Sequence, residues 1–189
     1  NLAEGNRESG FVWHEGAGGN LTGNTSRANN LHGFEIAGGS ADLLSNQALD
    51  NGMGGFGWWG DDTSGTARDN TARGNGTHGF YMEGAVVVQL TGNTARANNW
   101  DGFFICDRAG GEVSGNRAIG NEDDGLSVQD TALVTIGEND LHDNEDDDFH
   151  LFEGSVTPVP DVIGEESDDA RARVEAQGFV PFIDPEDAC

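Results

Sequence analysis

The 189-residue sequence predicts an all-β fold: a parallel β-helix solenoid of about seven coils over residues 1–154, then a short segment, 155–189, with one helix. Three observations carry that prediction. Asparagine recurs at Asn1, Asn24, Asn46, Asn70, Asn93, Asn116 and Asn139, at intervals of 22 to 24 residues. A second asparagine follows each by five residues, at Asn6, Asn29, Asn51, Asn75, Asn98, Asn121 and Asn144. Five residues further stands a large apolar side chain: Phe11, Phe34, Phe56, Phe80, Phe103, Leu126 and Phe149. A fixed period of this size marks a solenoid, in which each coil packs only on its neighbours.

Within a coil, the residue pattern sets each element. Two residues beyond the Phe column come Trp13, Ile36, Trp58, Met82, Ile105, Val128 and Leu151. Apolar residues at alternate positions describe a strand with one face inward. A second strand carries the column Leu21, Leu44, Leu90, Val113 and Ile136, with Ala67 as its small member. The third column is small: Ala3, Ser26, Ala48, Ala72, Ala95, Ala118, then Leu141. Three short strands joined by Gly-, Asn- and Asp-rich corners make one coil. A leucine-rich repeat has a similar period but needs several leucines per unit, which these units lack.

Coils stack about 4.8 Å apart, so equivalent residues fall above one another. The asparagines then either turn the corner in the left-handed region or pass amide hydrogen bonds up the stack. Both readings are structural. The glycine before the Phe column is expected to supply a positive φ on entry to the strand. A 22-residue unit followed by one of 24 points to a slipped loop, not a broken coil.

Nine cations, all arginine, face 34 carboxylates, for a net charge of −25 and a pI near 4.1. A field this negative opposes nucleic acids and anionic membranes, whose binding requires phosphate or headgroup charge to be neutralised. No apolar run approaches the roughly 18 residues of a membrane span. Nucleic acid and membrane insertion are therefore not expected. An acid surplus without lysine also fits a halophilic surface, or simply a high-GC genome.

The unit Gly92-Asn-Thr-Ala-Arg-Ala-Asn-Asn-Trp-Asp-Gly-Phe-Phe-Ile105 resembles the right-handed parallel β-helix repeats of the pectin-lyase-like superfamily, NosD-type repeats above all. The resemblance spans residues 1 to about 154 and implies a right-handed coil. It implies no single activity, because that superfamily holds lyases, glycoside hydrolases, epimerases, adhesins and spacers. Its lyases carry a Lys or Arg base beside acidic calcium ligands; this chain has no lysine, and its arginines cluster elsewhere. Further on, Val159-Pro-Asp-Val-Ile-Gly164, Asp168-Asp-Ala170 and Ala176-Gln-Gly-Phe179 resemble the opening half of a PASTA module, a type associated with Gram-positive cell walls. Ser167 is placed to cap a helix there, Asp168 and Asp169 suit its N-terminus, and Gly178 ends it. The second half of the module is missing, so the segment reads as a remnant or cap.

Candidate sites lie on the outer columns. The residue before each Gly–Phe pair faces a corner: His32, His78, Asp101 and Asp124, with Asp147 in the last unit. Glu122-Asp-Asp124 and Glu145-Asp-Asp-Asp148 stack on adjacent coils. Carboxylates about 5 Å apart repel by roughly 1–3 kcal/mol per pair at surface-like dielectrics. A hard cation relieves that repulsion, and oxygen ligands suit Ca²⁺. Asp101, Asp123, Asp124, Asp146 and Asp147 are the candidate ligands; the alternative is a solvated acidic edge.

An arginine stripe, Arg27, Arg73 and Arg96, either grips an acidic polymer bidentately or pairs with Asp50 and Asp69 of this chain. The outward positions of the Phe strand carry Val12, Tyr81 and Phe104, and two residues on, Trp59, Cys106 and Phe152. Such a patch means cover or binding. Trp59, Tyr81 and Phe104, with Arg73 and Arg96, are the candidate carbohydrate contacts; burial under the C-terminal segment is the rival. Cys106 follows inward-facing Ile105 and is expected to point outward, where Cys189 reaches it in a disulfide.

The expectation is an extracellular or cell-surface β-helix, structural and non-catalytic, associated with polysaccharide or cell wall. One alternative is a lyase or epimerase acting on an acidic polysaccharide, which would show a cleft with a general base beside the acidic corner. Another is a fibre subunit assembled end to end, since the pattern begins at Asn1 without a cap.

Overall fold

A computed structural model describes residues 1–14 and 16–152, within a compact unit spanning Asn1–Thr157. The expectations for residues 155–189, including the PASTA-like segment, its helix and Cys189, lie outside the described residues. Short strands of three to five residues follow one another in threes. They form three parallel sheets, two of seven strands and one of six. The described residues thus make six complete coils and two strands of a seventh.

The phenylalanine sheet comprises Phe11–His14, Phe34–Ala37, Phe56–Trp59, Phe80–Glu83, Phe103–Ile105, Leu126–Val128 and Phe149–Leu151. Its Phe column is in register from coil to coil. From Phe11 to Phe103 the rings stack at centroid distances of 4.7–4.9 Å, within 7–11° of parallel. Phe34, Phe56, Phe80 and Phe103 are fully buried, whereas Phe11 and Phe149, in the outermost coils described, are partly so. Each stack adds about 0.5–1.5 kcal/mol to the burial of the ring itself.

The small column pairs as Ala3, Ser26, Ala48, Ala72, Ala95, Ala118 and Leu141 in an alanine sheet. The remaining leucine sheet corrects one position. Its inward column runs Leu21, Leu43, Ala67, Leu90, Val113 and Ile136, so Leu43 is buried while Leu44 is exposed. The missing residue of the 22-residue unit lies before this strand. Counting forward from Phe34 therefore overshoots by one, and in a strand one residue exchanges the two faces.

The asparagines form ladders. Nδ2 of Asn70 donates to Oδ1 of Asn93 at 3.0 Å, and Nδ2 of Asn93 to Oδ1 of Asn116 at 3.0 Å. The second ladder runs likewise through Asn75, Asn98 and Asn121. The left-handed conformation falls on the residue before an asparagine, as at Asp69 (φ 55°) and Gly74 (φ 66°). The glycine before each phenylalanine has a different purpose from the one expected. Gly79 has no positive φ; a Cβ there would lie 2.6 Å from the Gly102 carbonyl oxygen and 2.8 Å from the Ala95 Cβ. Close packing of the corner, not φ, requires it.

Candidate functional site

Three columns run side by side along one edge of the phenylalanine sheet. The first is the outward column of the strands: Glu35, Gly57, Tyr81, Phe104, Ser127 and His150. The second is the corner column, tied by side-chain contacts from coil to coil. The Asp101 carboxylate accepts the Asp124 amide at 3.2 Å, and the Asp124 carboxylate accepts the Asp147 amide at 3.0 Å. The third, one residue earlier, links Leu31, Met53, Thr77 and Trp100 by backbone hydrogen bonds. On the later coils it holds Asp123 and Asp146, likewise bonded to each other. The edge therefore changes from aromatic to acidic along the axis.

At the aromatic end lies a groove of about 350 Å³, lined chiefly by His32, Trp59, His78, Tyr81, Glu83 and Trp100. His78 stacks on Tyr81 at 5.5 Å and 8°, and on Phe104 at 4.5 Å and 22°. Trp100 meets the same imidazole edge-on at 5.0 Å and is itself 52% exposed. Trp59 completes the row against His32 and Tyr81. The Tyr81 hydroxyl donates to Glu83, and burial pushes its phenol pKa upward. His32 Nδ1 accepts the Gly54 amide at 3.2 Å. Burial lowers its pKa, against the pull of Glu35, so the ring is neutral with its proton on Nε2.

At the acidic end, Nδ1 of His78 lies 2.8 Å from Asp101 Oδ2, with both side chains about nine-tenths buried or more. The pair is a close contact whose geometry falls short of a hydrogen bond. Asp101, Asp123 and Asp124 bring one carboxylate oxygen each within 4.8 Å of one another, an all-oxygen set that fits Ca²⁺. Asp124 and Asp147 make a second set with His150, whose nitrogen suits a softer ion. Burial raises the pKa values of Asp123 and Asp124, and the neighbouring carboxylates add to the rise. Asp146 belongs to neither set.

The sequence-selected carbohydrate residues divide between two faces. Trp59, Tyr81 and Phe104 share the aromatic edge, with Trp59 and Tyr81 in the groove wall and Phe104 behind it on His78. Arg73 and Arg96 are paired neighbours on the outer face of the alanine sheet and do not approach the aromatics. Arg73 lies 4.0 Å from Asp50, and Arg27 lies 2.9 Å from Glu4. Cys106 is buried, not outward, because the strand ends at Ile105 and alternation stops with it. Among the described residues its thiol has no disulfide partner, and burial pushes its pKa up to about 12.

His150 and Trp100 escaped the sequence reading. Trp100 occupies the Asp123 position of its coil, which could have found it; His150 occupies the Tyr81 position, a different column from the aspartates it meets. A family model described as a right handed beta helix region matches residues 50–160, more than half of the chain. No curated protein and no solved structure matches it.

Proposed function

The chain belongs to the right-handed β-helix family, and from that premise we propose that it is a carbohydrate-binding surface protein. The β-helix is its scaffold and the Trp59–Tyr81–Trp100 groove its binding face. One observation carries this reading: aromatic side chains on successive coils form a rigid, partly exposed platform beside hydrogen-bonding groups. Sugar rings pack their C–H faces on aromatic rings and satisfy their hydroxyls at the margins, which Thr77, His32 and Glu83 supply. A platform fixed by coil stacking loses little entropy on binding. The PASTA-like residues 159–179 support a location at the cell envelope.

The test is retention on a panel of neutral, amino and acidic oligosaccharides, with Trp100→Ala and Tyr81→Ala as controls. Trp100 is 52% exposed, so Trp100→Ala should leave melting nearly unchanged while retention is lost. Tyr81→Ala also removes its stacking on His78 and Trp59, so its melting curve is recorded beside its retention. Undiminished retention in both variants overturns the proposal.

The His78–Asp101 pair favours a second reading, a lyase or epimerase. A titratable imidazole stacked on a phenol beside a carboxylate cluster provides a general base, a proton donor and a place for Ca²⁺ to polarise a uronate. Unsaturated products from uronic-acid polymers would support it. Their absence, with Ca²⁺ present, would leave binding alone.

A further inference from the structure

Charge distinguishes the glycans this groove can hold. Among the described residues its one carboxylate is Glu83; of its two imidazoles, His32 Nδ1 accepts the Gly54 amide and His78 lies 2.8 Å from the Asp101 carboxylate. No arginine among the described residues lines it; the arginine stripe belongs to a different sheet. Along the coil axis the rim passes from Met53, Thr77 and Trp100 directly to Asp123 and Asp146. A sugar lying on the aromatic faces would thus sit between the Glu83 carboxylate and an acidic cluster, on a protein of net charge −25. A uronate there would meet like charge at both ends. An ammonium would meet carboxylates and the faces of two tryptophans, the best aromatic partners for a cation.

We propose that the groove selects an amino-sugar glycan with free, protonated amines over neutral and uronic-acid glycans. This inference rests on the carbohydrate-binding reading above and names the ligand class for that site. The ammonium groups pair with Glu83 and the Asp123 edge while the rings pack on Trp59 and Trp100.

The experiment compares oligomers of glucosamine, N-acetylglucosamine and galacturonate of equal length by calorimetry, at mildly acidic pH and low salt. The first two share ring and linkage and differ in charge. The expected order is glucosamine tightest, about tenfold over its acetylated counterpart, and galacturonate weakest. Added salt should shrink the preference. Glu83→Gln should shrink it too, by weakening glucosamine binding more than binding of the acetylated oligomer. Equal or tighter binding of the acetylated or uronate oligomer overturns the selectivity but leaves the carbohydrate reading standing. Binding of none overturns both. Glucosamine binding that survives Trp100→Ala is attraction to a generally acidic surface, and overturns the assignment to this groove.

Discussion

His150 Nδ1 lies 3.1 Å from Oδ2 of Asp124, and Oδ1 of the same carboxylate accepts the Asp147 amide at 3.0 Å. Asp124 is 4% exposed, so a residue that reads as a surface acid is enclosed by the next coil. Burial is the largest influence on it and raises its pKa; the Asp147 amide opposes that rise. A raised folded-state pKa means that protonation favours the fold. That stabilisation is fully present below the unfolded carboxylate pKa and is lost as pH rises through the folded one. Asp124→Asn keeps the acceptor for the Asp147 amide and removes the buried charge. It should raise the melting temperature at neutral pH by about 3 °C, the shift that ~1 kcal/mol brings at this chain length. The gain should vanish in acid. A variant less stable than the parent at neutral pH would show that the charge is already compensated.

The same carboxylates set the calcium prediction. If Asp101, Asp123 and Asp124 hold Ca²⁺, the melting temperature should rise with the cation, by about 2.7 kcal/mol of stabilisation at a hundredfold excess over Kd. Mg²⁺ should do less, because it demands tighter octahedral geometry. Asp124→Asn should abolish the response. Identical melting curves with Ca²⁺ and with chelator would leave only a solvated edge.

Phe103 is stacked on Phe80 at 4.8 Å and has no exposed surface. Phe103→Ala should cost on the order of 3–5 kcal/mol in denaturant unfolding. Phe149→Ala, at a partly buried position, should cost less. Equal losses at the two sites would contradict the burial gradient.

Asn93 accepts from the amide and the Nδ2 of Asn70, and donates to Asn116 Oδ1 and the Ala67 carbonyl oxygen, all at 2.8–3.0 Å. Asn93→Ala leaves buried groups on two adjoining coils unpaired, at a cost of roughly 3 kcal/mol or more. Asn93→Asp retains the acceptors but loses both donors, so it too should destabilise, increasingly as pH rises. Chemical denaturation of the two variants checks both statements.

As a thiol, with its pKa raised to about 12 by burial, Cys106 should react slowly with alkylating reagents until the protein is denatured; bridged to Cys189, it should not react without reductant. Intact mass without reductant tests the proposed bridge to Cys189. A monomer lighter by two hydrogens supports it, and two alkylatable thiols refute it.

What the sequence disclosed is what repeats. The Asn and Phe columns were legible because coil stacking makes every equivalent position answer to the same neighbours. The asparagine ladder outdoes a simple turn preference for that reason, with each amide serving the coils on both sides. Leu44 was misplaced because a one-residue deficit is invisible to forward counting. The glycines were assigned the wrong task because crowding by the next coil leaves no trace in one unit's spacing. Among the site residues, Asp101, Asp123 and Asp124 were recoverable from column position alone. His150 was not: it approaches Asp124 from a different column, and only the fold makes those two columns adjacent.

The corner after the phenylalanine strand holds two residues between Ala37 and Ser40, four between Trp59 and Ser64, and three between Glu83 and Val87. The other two corners carry the asparagine ladders and keep constant length. Mutational drift in this lineage should therefore be lopsided. Insertions can accumulate on the side where Trp59 and Glu83 end their strands, while the opposite wall, with His78 and Trp100, is held by hydrogen bonds to every neighbouring coil. Descendants of this chain would then inherit one fixed wall of the groove and remodel the other.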